Sequence, residues 1–214
     1  MNYQRLYEYR FRGIDQASRA DVWREIAAHV HEVMDRPQRV LDPAAGRGEF
    51  INNVPASERW AVDAVAYEEG THAPETRVIV SDIFEADLPT GYFDGVWVSN
   101  FLEHLPTQEA VSAFLEKMHG VLAPGGRIAI MGPNFRYCAD EYFDCADHTL
   151  IFTHLAIEEH LYAAGFEPSK SVPRFLPYSF RGRLPPSRAL TRRYLQAPFA
   201  WRLLGKQFLV VGRR

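Results

Sequence analysis

Two stretches of the chain carry the residue types that could do chemistry. "VLDPAAGRGEF", residues 40–50, ends an apolar run in an acid and continues with small residues and two glycines, a pattern typical of a turn that holds a nucleotide. "GPNFRYCADEYFDCADHTLIFTH", residues 132–154, combines acids, histidines and aromatics, with more titratable groups than a structural loop needs. The first stretch predicts a bound cofactor, and the second predicts the groups that act on a substrate.

The glycine turn alone leaves three classes open: a dinucleotide oxidoreductase, a DNA-adenine methyltransferase and a small-molecule methyltransferase. Dinucleotide folds have Gly-x-Gly-x-x-Gly, whereas Ile51 stands in this chain where the third glycine would be. DNA-adenine methyltransferases carry an Asn/Asp-Pro-Pro-aromatic motif after the fourth strand, and this chain has "SNFLEHL" there instead. The two observations disfavour the first two classes, and we expect no nucleic-acid partner.

Apolar runs alternate with helical stretches, which predicts a Rossmann-like, doubly wound and mostly parallel α/β sheet. Seven strands are expected: "RVLDPA", "RWAVDAV", "TRVIVSDI", "FDGVWVSN", "GRIAIMGPN", "EPSKSVPRF" and "KQFLVVGRR". Helical spacing places "IDQASRADVWREIAAHVHEVM", "TQEAVSAFLEKMHGVL" and "HLAIEEHLYAAGF" in helices. Asp15 or Ser18 would cap the first helix, the Pro124-Gly125-Gly126 turn would end the second, and Thr153 would cap the third.

The chain is expected to fold as one domain with three parts. Its 214 residues are 47% hydrophobic, which is enough for a substantial core. Residues 1–37 form an N-terminal helical segment, residues 38–167 the cofactor-binding core, and residues 168–214 the C-terminal strands. Between these strands, residues 176–204 form an extended basic insertion in which Pro198 interrupts a helical pattern. We expect this insertion to be a cap over the site or a contact in a homodimer.

Charge is distributed unevenly along the chain. From Pro168 to the end there are 11 Lys or Arg and no Asp or Glu, although the net charge is −3. Such a tail attracts an anionic partner, or it packs on the acidic body or on a second subunit; charge alone does not separate these alternatives. Because the chain shows no transmembrane segment and no signal-peptide core, we expect a cytoplasmic protein with reduced thiols at Cys138 and Cys145.

Acids follow the predicted strands in a recognisable order. Asp42 ends the first strand, Asp63 ends the second, and Asp82 follows the third, with "VSNFLEHL" and "VLAPGGRIAI" further along. In this order and spacing, residues 38–167 resemble the class I S-adenosylmethionine-dependent methyltransferases. The resemblance implies S-adenosylmethionine as the cofactor. It places the methionine part against Asp42, Ala44, Gly46 and Gly48, the ribose on Asp63, the adenine at Asp82 and Ile83, and the pocket floor at Asn100. Ala44 departs from the family pattern, which more often has Gly there.

Methyl transfer to a hydroxyl needs a general base or a metal, because the hydroxyl must lose its proton, whereas an amine needs only its lone pair. His148 is the first choice for the base, with Asp147 beside it and Asp144 nearby, because an ordinary imidazole is neutral at pH 7. Glu103 and His104, after the fourth strand, are expected to form pocket wall that can also do acid–base work.

Two metal sites can be drawn from residues 132–154. One set has the residue types of a zinc site: Cys138, Cys145, His148 and His154. Their spacing differs from that of the usual paired zinc knuckles, which disfavours zinc. A second set of carboxylates would bind Mg²⁺ together with substrate hydroxyls: Glu141, Asp144 and Asp147. Of the two, the Mg²⁺ site is favoured.

A narrower resemblance reaches the C-terminal segment. "GRGEFINNV", "MGPNFRY", "DCADHTL", "PRFLPYSFRGRLP" and "GKQFLVV" look similar to a subgroup associated with polysaccharide and glycan biosynthesis, and within it to mycobacterial enzymes that O-methylate methylmannose polysaccharide precursors. The resemblance implies a hydroxyl of a mannoside or related oligosaccharide as the acceptor. The expected acceptor residues are Asn134, Tyr137, His154, Arg174, Tyr178, Arg181 and Arg183. Two other functions stay open: an N-methyltransferase of an amino sugar or other small metabolite, and a non-catalytic module that binds the cofactor.

Overall fold

A seven-stranded sheet forms the centre of the molecule. The computed structural model describes residues 3–10, 12, 16–178 and 187–214. The strands are β1 (Arg39–Asp42), β2 (Glu58–Asp63), β3 (Thr76–Val80), β4 (Phe93–Ser99), β5 (Leu122–Pro133), β6 (Glu167–Val172) and β7 (Gln207–Arg213). They lie in the order β3-β2-β1-β4-β5-β7-β6, and β7 runs antiparallel to both its neighbours. The predicted fold class, a mostly parallel and doubly wound sheet of seven strands, is confirmed.

Helices cover both faces of this sheet. They are α1 (Tyr3–Arg10), α2 (Gln16–Val33), α3 (Gln108–Val121), α4 (Phe135–Cys138), α5 (His154–Ala163), α6 (Arg188–Leu195) and α7 (Pro198–Leu204). Two 3₁₀ turns span Leu102–His104 and Ala139–Asp144. The side chains of Thr107, Thr153 and Ser187 each accept a hydrogen bond from a backbone N–H of the first turn that follows, which starts α3, α5 and α6. The predicted cap at Thr153 is confirmed.

Each face of the sheet has its own core. On one face, α2 buries Val22, Ile26 and Val30, one stripe at helical spacing, against the sheet. On the other face, α3 buries Phe114 and Met118 among the side chains of β4 and β5. Each such side chain, fully buried, contributes about 1.5–3 kcal/mol, so the two clusters hold the strands in a fixed register.

The strand order of the sheet reverses between β1 and β4. The chain adds β2 and β3 on one side of β1, and then returns to place β4 on the other side. Leu41 pairs with Val96 across this junction. Gly95 allows the two strands and the preceding loop to meet, because a Cβ there would lie 2.6 Å from Pro37. Ligands of open α/β sheets bind outside the carboxyl ends of the strands at such a reversal. Asp42 and Asn100 lie directly at this point.

Two predicted helix boundaries differ from the structure. The turn at Pro124-Gly125-Gly126 does not end α3; these residues lie inside β5, where the pairing with β4 shifts register after Leu122. Gly125, with a φ of 81°, supplies the irregular backbone that the shift needs. Ser18 lies within α2 and therefore does not cap it, and Asp15 lies outside the described residues.

The C-terminal insertion packs on α2 rather than standing apart. Arg188 and Arg192 both bind the carboxylate of Glu25 on α2, and the ring of Trp201 meets that of Phe175 edge-on at 5.3 Å. Pro198 begins α7, which confirms the predicted break in the helical pattern. Part of the basic tail therefore pairs with the acidic body. No helix within the described ranges is both long and apolar enough to cross a membrane.

Candidate active site

A cleft with a volume of about 570 Å³ opens at the carboxyl ends of β1, β2, β3 and β4, within the size range of small-molecule sites. Its wall contains the loops that follow these strands, together with residues of α1 and α2. Most of the predicted cofactor residues line it: Asp42, Ala44, Gly46, Asp63, Asp82, Ile83 and Asn100. The reversal of strand order therefore brings together residues that are separated by up to 58 positions in the chain.

The loop after β1 forms one wall of the cleft. Gly46 has a φ of 54°, and a Cβ built there would have its nearest neighbour 4.0 Å away, at a carboxylate oxygen of Glu49. The space over Gly46 is thus open to a ligand that approaches the backbone closely. Gly48 has another role, because a Cβ there would lie 2.7 Å from the side chain of Asn52. Gly48 is buried in the turn and, among the described residues, is not part of the cleft wall.

Ala44 is accommodated because its backbone does not need a glycine. Among the described residues other than glycine, positive φ angles occur at Asp35, Arg36 and Asn100, and Ala44 is not one of them. A methyl group on Ala44 therefore causes no backbone strain. The departure from the family pattern at this position leaves the shape of the turn unchanged.

Asp63 fixes the loop and faces the cleft at the same time. Its two carboxylate oxygens accept hydrogen bonds from the backbone N–H groups of Gly46 at 2.7 Å and Val65 at 2.8 Å. Burial raises the pKa of Asp63, while these two donors act to lower it. Each carboxylate oxygen has a further lone pair, so Asp63 can also accept bonds from the two hydroxyls of a ribose.

Asn100 and Asp82 complete the cofactor end of the cleft. Asn100 follows β4 with a φ of 48°, a left-handed conformation that is uncommon outside glycine and frequent at functional sites. Asp82 accepts a bond from the N–H of Phe84 at 2.9 Å, and Ile83 next to it is buried at the cleft wall. A carboxylate beside an apolar side chain suits the edge and the face of an adenine. Together with the open space over Gly46, these residues fit S-adenosylmethionine.

Histidines and acids meet at the other end of the cleft. His104 lines the cleft wall, and its Nδ1 lies 3.1 Å from the carbonyl oxygen of Asp147 and 3.3 Å from its carboxylate. The ring of His148 lies 5.0 Å from that of His104. Glu103 is 3% exposed and lies in the same cluster. Arg10 of α1 binds the carboxylate of Asp147 from the cleft side. The sequence separation between Arg10 and Asp147 is 137 residues.

Burial and charge set the protonation of this cluster. Burial, together with the neighbouring His104, lowers the pKa of His148 to about 4, which leaves its imidazole neutral. Burial raises the pKa of Glu103. Burial would also raise the pKa of Asp147, but its hydrogen bond to Arg10 and the proximity of His104 hold it below the ordinary value. The cluster therefore contains an ionised Asp147 and a neutral His148.

Neither predicted metal set is assembled among the residues that the structure describes. Within the Mg²⁺ set, Glu141 binds Lys206, Asp147 binds Arg10, and Asp144 is exposed. Each acid thus faces a different environment, because residues 139–144 turn as a 3₁₀ helix before Asp147 is reached. In the zinc set, the Cys138 thiol donates to the carbonyl oxygen of Asn134 at 3.1 Å, and burial raises the pKa of this thiol to about 12.

The predicted acceptor residues fall into four groups. Asn134 and His154 are buried, and the side-chain nitrogen of Asn134 lies 3.1 Å from Nδ1 of His154. Asn134 also caps the start of α4. Neither residue is among the described residues that line the cleft, so both have a structural role next to it. Tyr178 lies next to the cluster, with its ring 6.4 Å from that of His148. Arg174 stacks on Tyr137 and donates to the carbonyl oxygens of Gly205 and Leu203. Arg181 and Arg183 lie outside the described residues.

Sequence reasoning missed the contribution of the N-terminal helices to the cleft. Arg10, Arg19 and Trp23 line it, and Arg19 binds Glu49 of the glycine loop at 2.7 Å. Tyr67, after β2, also lies in the wall. The available signal was the pattern of aromatic and basic residues in "YQRLYEYR", which forms α1.

Comparison with known proteins agrees with this geometry. Residues 39–130 match the family model of the methyltransferase domain. No curated protein sequence matches the chain. A SAM-dependent methyltransferase from Archaeoglobus fulgidus has a similar structure, with 21% identity, full coverage of both chains and a TM-score of 0.64.

Two structures with bound S-adenosylhomocysteine are also similar. One is 1,6-didemethyltoxoflavin-N1-methyltransferase from Burkholderia thailandensis, at 23% identity over 99% of this chain and 88% of that one, with a TM-score of 0.60. The other is the N-methyltransferase NodS from Bradyrhizobium japonicum, at 12% identity over 87% and 83%, with a TM-score of 0.60. At these identities the likeness establishes the fold.

The order of the sheet and the likeness to solved structures show that the chain has the fold of class I S-adenosylmethionine-dependent methyltransferases. Within this fold, residues 39–130 match the methyltransferase domain.

Proposed function

We propose that this methyltransferase transfers a methyl group to a hydroxyl oxygen of a sugar, a mannoside or an oligosaccharide precursor of a polysaccharide. The observation that carries the proposal is the cluster that Glu103, Asp147 and His148 form with His104, which lines the wall of the cofactor cleft. An amine acceptor attacks through its own lone pair and needs no such group. A hydroxyl must lose a proton, and this cluster supplies two imidazoles and two carboxylates for that purpose.

Bound S-adenosylmethionine supplies an electrophilic methyl group on a sulfonium. Asp63, Asp82 and the open backbone at Gly46, which line the cleft, would hold it. His104 lines the cleft wall that the acceptor meets, the carboxylate of Asp147 lies 3.3 Å from His104 Nδ1, and the ring of His148 lies 5.0 Å from that of His104. The sequence prediction assigns the acceptor proton to His148, whose Nδ1 has no hydrogen-bond partner among the described residues.

A pair of acceptors that differ in one atom tests this proposal. Labelled S-adenosylmethionine is supplied with a methyl mannoside or with the amino sugar that carries –NH₂ in place of one hydroxyl. We expect transfer to oxygen, reduced roughly 100-fold or more by His148→Ala, because loss of assisted proton transfer has about that effect. His160→Ala, a half-buried histidine of α5 outside the cluster, is the matched control. Methylation of the amino sugar alone would instead identify an N-methyltransferase.

A homodimer in the cytoplasm stays a prediction. What supports a second subunit is the apolar surface of α7, where Phe199, Leu203 and Leu204 are 72%, 73% and 57% exposed. Light scattering on the wild type and on Leu203→Glu measures the mass in solution. A dimer that the substitution converts to a monomer agrees with this prediction, and a monomeric wild type contradicts it.

A further inference from the structure

We propose that Glu103, His104 and His148 bind one divalent transition-metal ion at the edge of the cofactor cleft, and that this ion holds the acceptor hydroxyl. The inference rests on the O-methyl transfer proposed above and names how the hydroxyl is activated. It replaces the predicted Mg²⁺ set of Glu141, Asp144 and Asp147 with a different set of ligands.

The three side chains already converge. One carboxylate oxygen of Glu103 and one ring nitrogen of each histidine lie within 4.8 Å of one another. A tetrahedral ion with bonds of about 2.1 Å keeps its ligand atoms about 3.4 Å apart. Rotations of these side chains that draw the atoms together by little more than about 1 Å complete the site, given that geometry.

Two of the three ligands have polar atoms that find no hydrogen-bond partner within the part of the chain that the structure describes. Glu103 is 3% exposed, and its Oε1 has no hydrogen-bond partner among the described residues. The Nδ1 of His148 is also buried and has no hydrogen-bond partner among the described residues. A buried carboxyl without a partner is costly, and a bound cation removes that cost. These two atoms are therefore the strongest indication that a ligand belongs between them.

His104 has the hydrogen-bonding arrangement that is typical of a metal-binding histidine. Its Nδ1 faces two acceptors of Asp147, the carbonyl oxygen at 3.1 Å and the carboxylate at 3.3 Å, so this nitrogen carries the ring proton. The Nε2 lone pair is then left for a ligand. A carboxylate that binds the outer nitrogen of a ligating histidine is the usual support of such sites. Arg10 adds one positive charge, and the two carboxylates of Asp147 and Glu103 outweigh it.

The backbone holds the ligands in place before any ion arrives. The carbonyl oxygen of Glu103 accepts bonds from the N–H groups of Thr149 at 2.8 Å and Leu150 at 3.2 Å. The hydroxyl of Thr149 donates to the carbonyl oxygen of Leu105 at 2.5 Å and lies 3.1 Å from that of Glu103. These bonds tie the segment that carries His148 to the 3₁₀ turn that carries Glu103 and His104. A site built on such fixed backbone loses little entropy when it binds.

Three protein ligands leave a coordination position free, and His104 places that position at the cleft. Two imidazoles and a carboxylate suit Mn²⁺, Co²⁺ or Zn²⁺ better than Mg²⁺, which prefers oxygen ligands. A sugar hydroxyl fills the free position. As its oxygen bonds to the methyl carbon, the carbon–sulfur bond breaks with its electrons going to sulfur, and the hydroxyl proton passes to solvent water. In this scheme His148 assists the loss of the hydroxyl proton through the ion that it binds, so His148→Ala is expected to reduce transfer here as well.

Cobalt provides a direct test, because bound Co²⁺ absorbs visible light. The whole chain, treated with a chelator, is titrated with Co²⁺, and one equivalent is expected to produce the absorption. Glu103→Gln, His104→Gln and His148→Gln should each lower the affinity roughly 100-fold or more, and Asp147→Asn about 10- to 100-fold. Asp144→Asn, an exposed acid of the replaced set, is the control and should bind Co²⁺ as the wild type does.

The outcomes separate the metal site from the proposed function. Absence of saturable Co²⁺ absorption, or affinity unchanged in Glu103→Gln, overturns the metal site; thermal melting shows that this near-isosteric variant is folded. If the chelated protein still methylates sugar hydroxyls at full rate, the ion has no part in transfer and the inference fails while the function stands. If Co²⁺ binds at one equivalent but no hydroxyl is methylated, the site stands and the function fails.

Discussion

Replacement of Asp63 by asparagine tests the assignment of the cofactor cleft. In the structure, both oxygens of Asp63 accept a backbone N–H, from Gly46 at 2.7 Å and from Val65 at 2.8 Å. Each oxygen keeps a lone pair for a ribose hydroxyl. In the Asp63→Asn variant one of these oxygens is replaced by an NH₂ donor, which can accept neither bond.

The expected loss follows from the hydrogen bonds that disappear. A bond to a charged acceptor contributes about 1.5–3 kcal/mol, so loss of one ribose bond weakens S-adenosylmethionine binding roughly 10- to 100-fold. Stability should change less, by about 1 kcal/mol, because the lost backbone bond is offset by removal of a buried charge. That burial is the reason for the raised pKa of Asp63.

Calorimetric titration with S-adenosylmethionine and S-adenosylhomocysteine measures this loss. Asp94→Asn is the matched control, because Asp94 binds Arg39 at 2.6 Å between β1 and β4 and does not belong to the described cleft wall. The control should lose stability and keep its affinity. If Asp63→Asn binds the cofactor within about threefold of the wild type, a difference below about 0.7 kcal/mol, the assignment of Asp63 to the ribose is refuted.

Three further predictions follow from burial and backbone geometry. Burial raises the pKa of Asp42 well above its usual range. The stability that this carboxyl contributes is therefore present below about pH 3.8 and is lost as the pH rises through its folded pKa. Asp42→Asn should raise the melting temperature at pH 7, and an unchanged melting temperature counts against the burial argument. Burial lowers the pKa of His29 to about 4, so stability that is present above pH 6.5 is lost as the pH falls toward 4, by about 2 kcal/mol at pH 5. His29→Phe should remove this part of the acid sensitivity when thermal melts at pH 7.5 and pH 5 are compared. If the variant and the wild type lose the same stability between the two pH values, the prediction is contradicted. Gly46→Ala should weaken cofactor binding because its methyl group enters the cleft, whereas Gly48→Ala should cost about 1–3 kcal/mol of folding free energy through contact with Asn52. Calorimetry measures the change in binding, and denaturant titration measures the change in stability. Equal effects of the two substitutions on binding would contradict the prediction.

Local patterns were sufficient to predict the sheet and its cofactor edge. Asp42 and Asp63 each end a short apolar run, so they had to lie at the carboxyl end of a strand, and the parallel sheet brings such ends together. Thr153 precedes a helical pattern with its side chain free to cap it. The end of α3 was predicted wrongly, because Gly125 and Gly126 are equally suited to a turn and to an irregular strand.

The chemistry at the other end of the cleft depends on contacts between distant parts of the chain. His148 was selected from its residue type, but its neighbour His104 comes from a segment 44 positions earlier. Bonds from Thr149 and Leu150 to the carbonyl oxygen of Glu103 help to bring these segments together, and no pattern in the sequence specifies them. The contact between Arg10 and Asp147 joins residues that are still further apart in the sequence, by 137 positions. Asn134 and His154 have the residue types of a site and instead satisfy each other in the core.

The most direct measurement is transfer of a labelled methyl group from S-adenosylmethionine to a panel of mannosides and other glycans, with and without added divalent ions and chelator. Mass spectrometry of the products locates the methyl group. The account predicts a sugar methylated on oxygen, with the signal lost in His148→Ala. Methylation of amines only, or binding of the cofactor without transfer to any glycan in the panel, would contradict it.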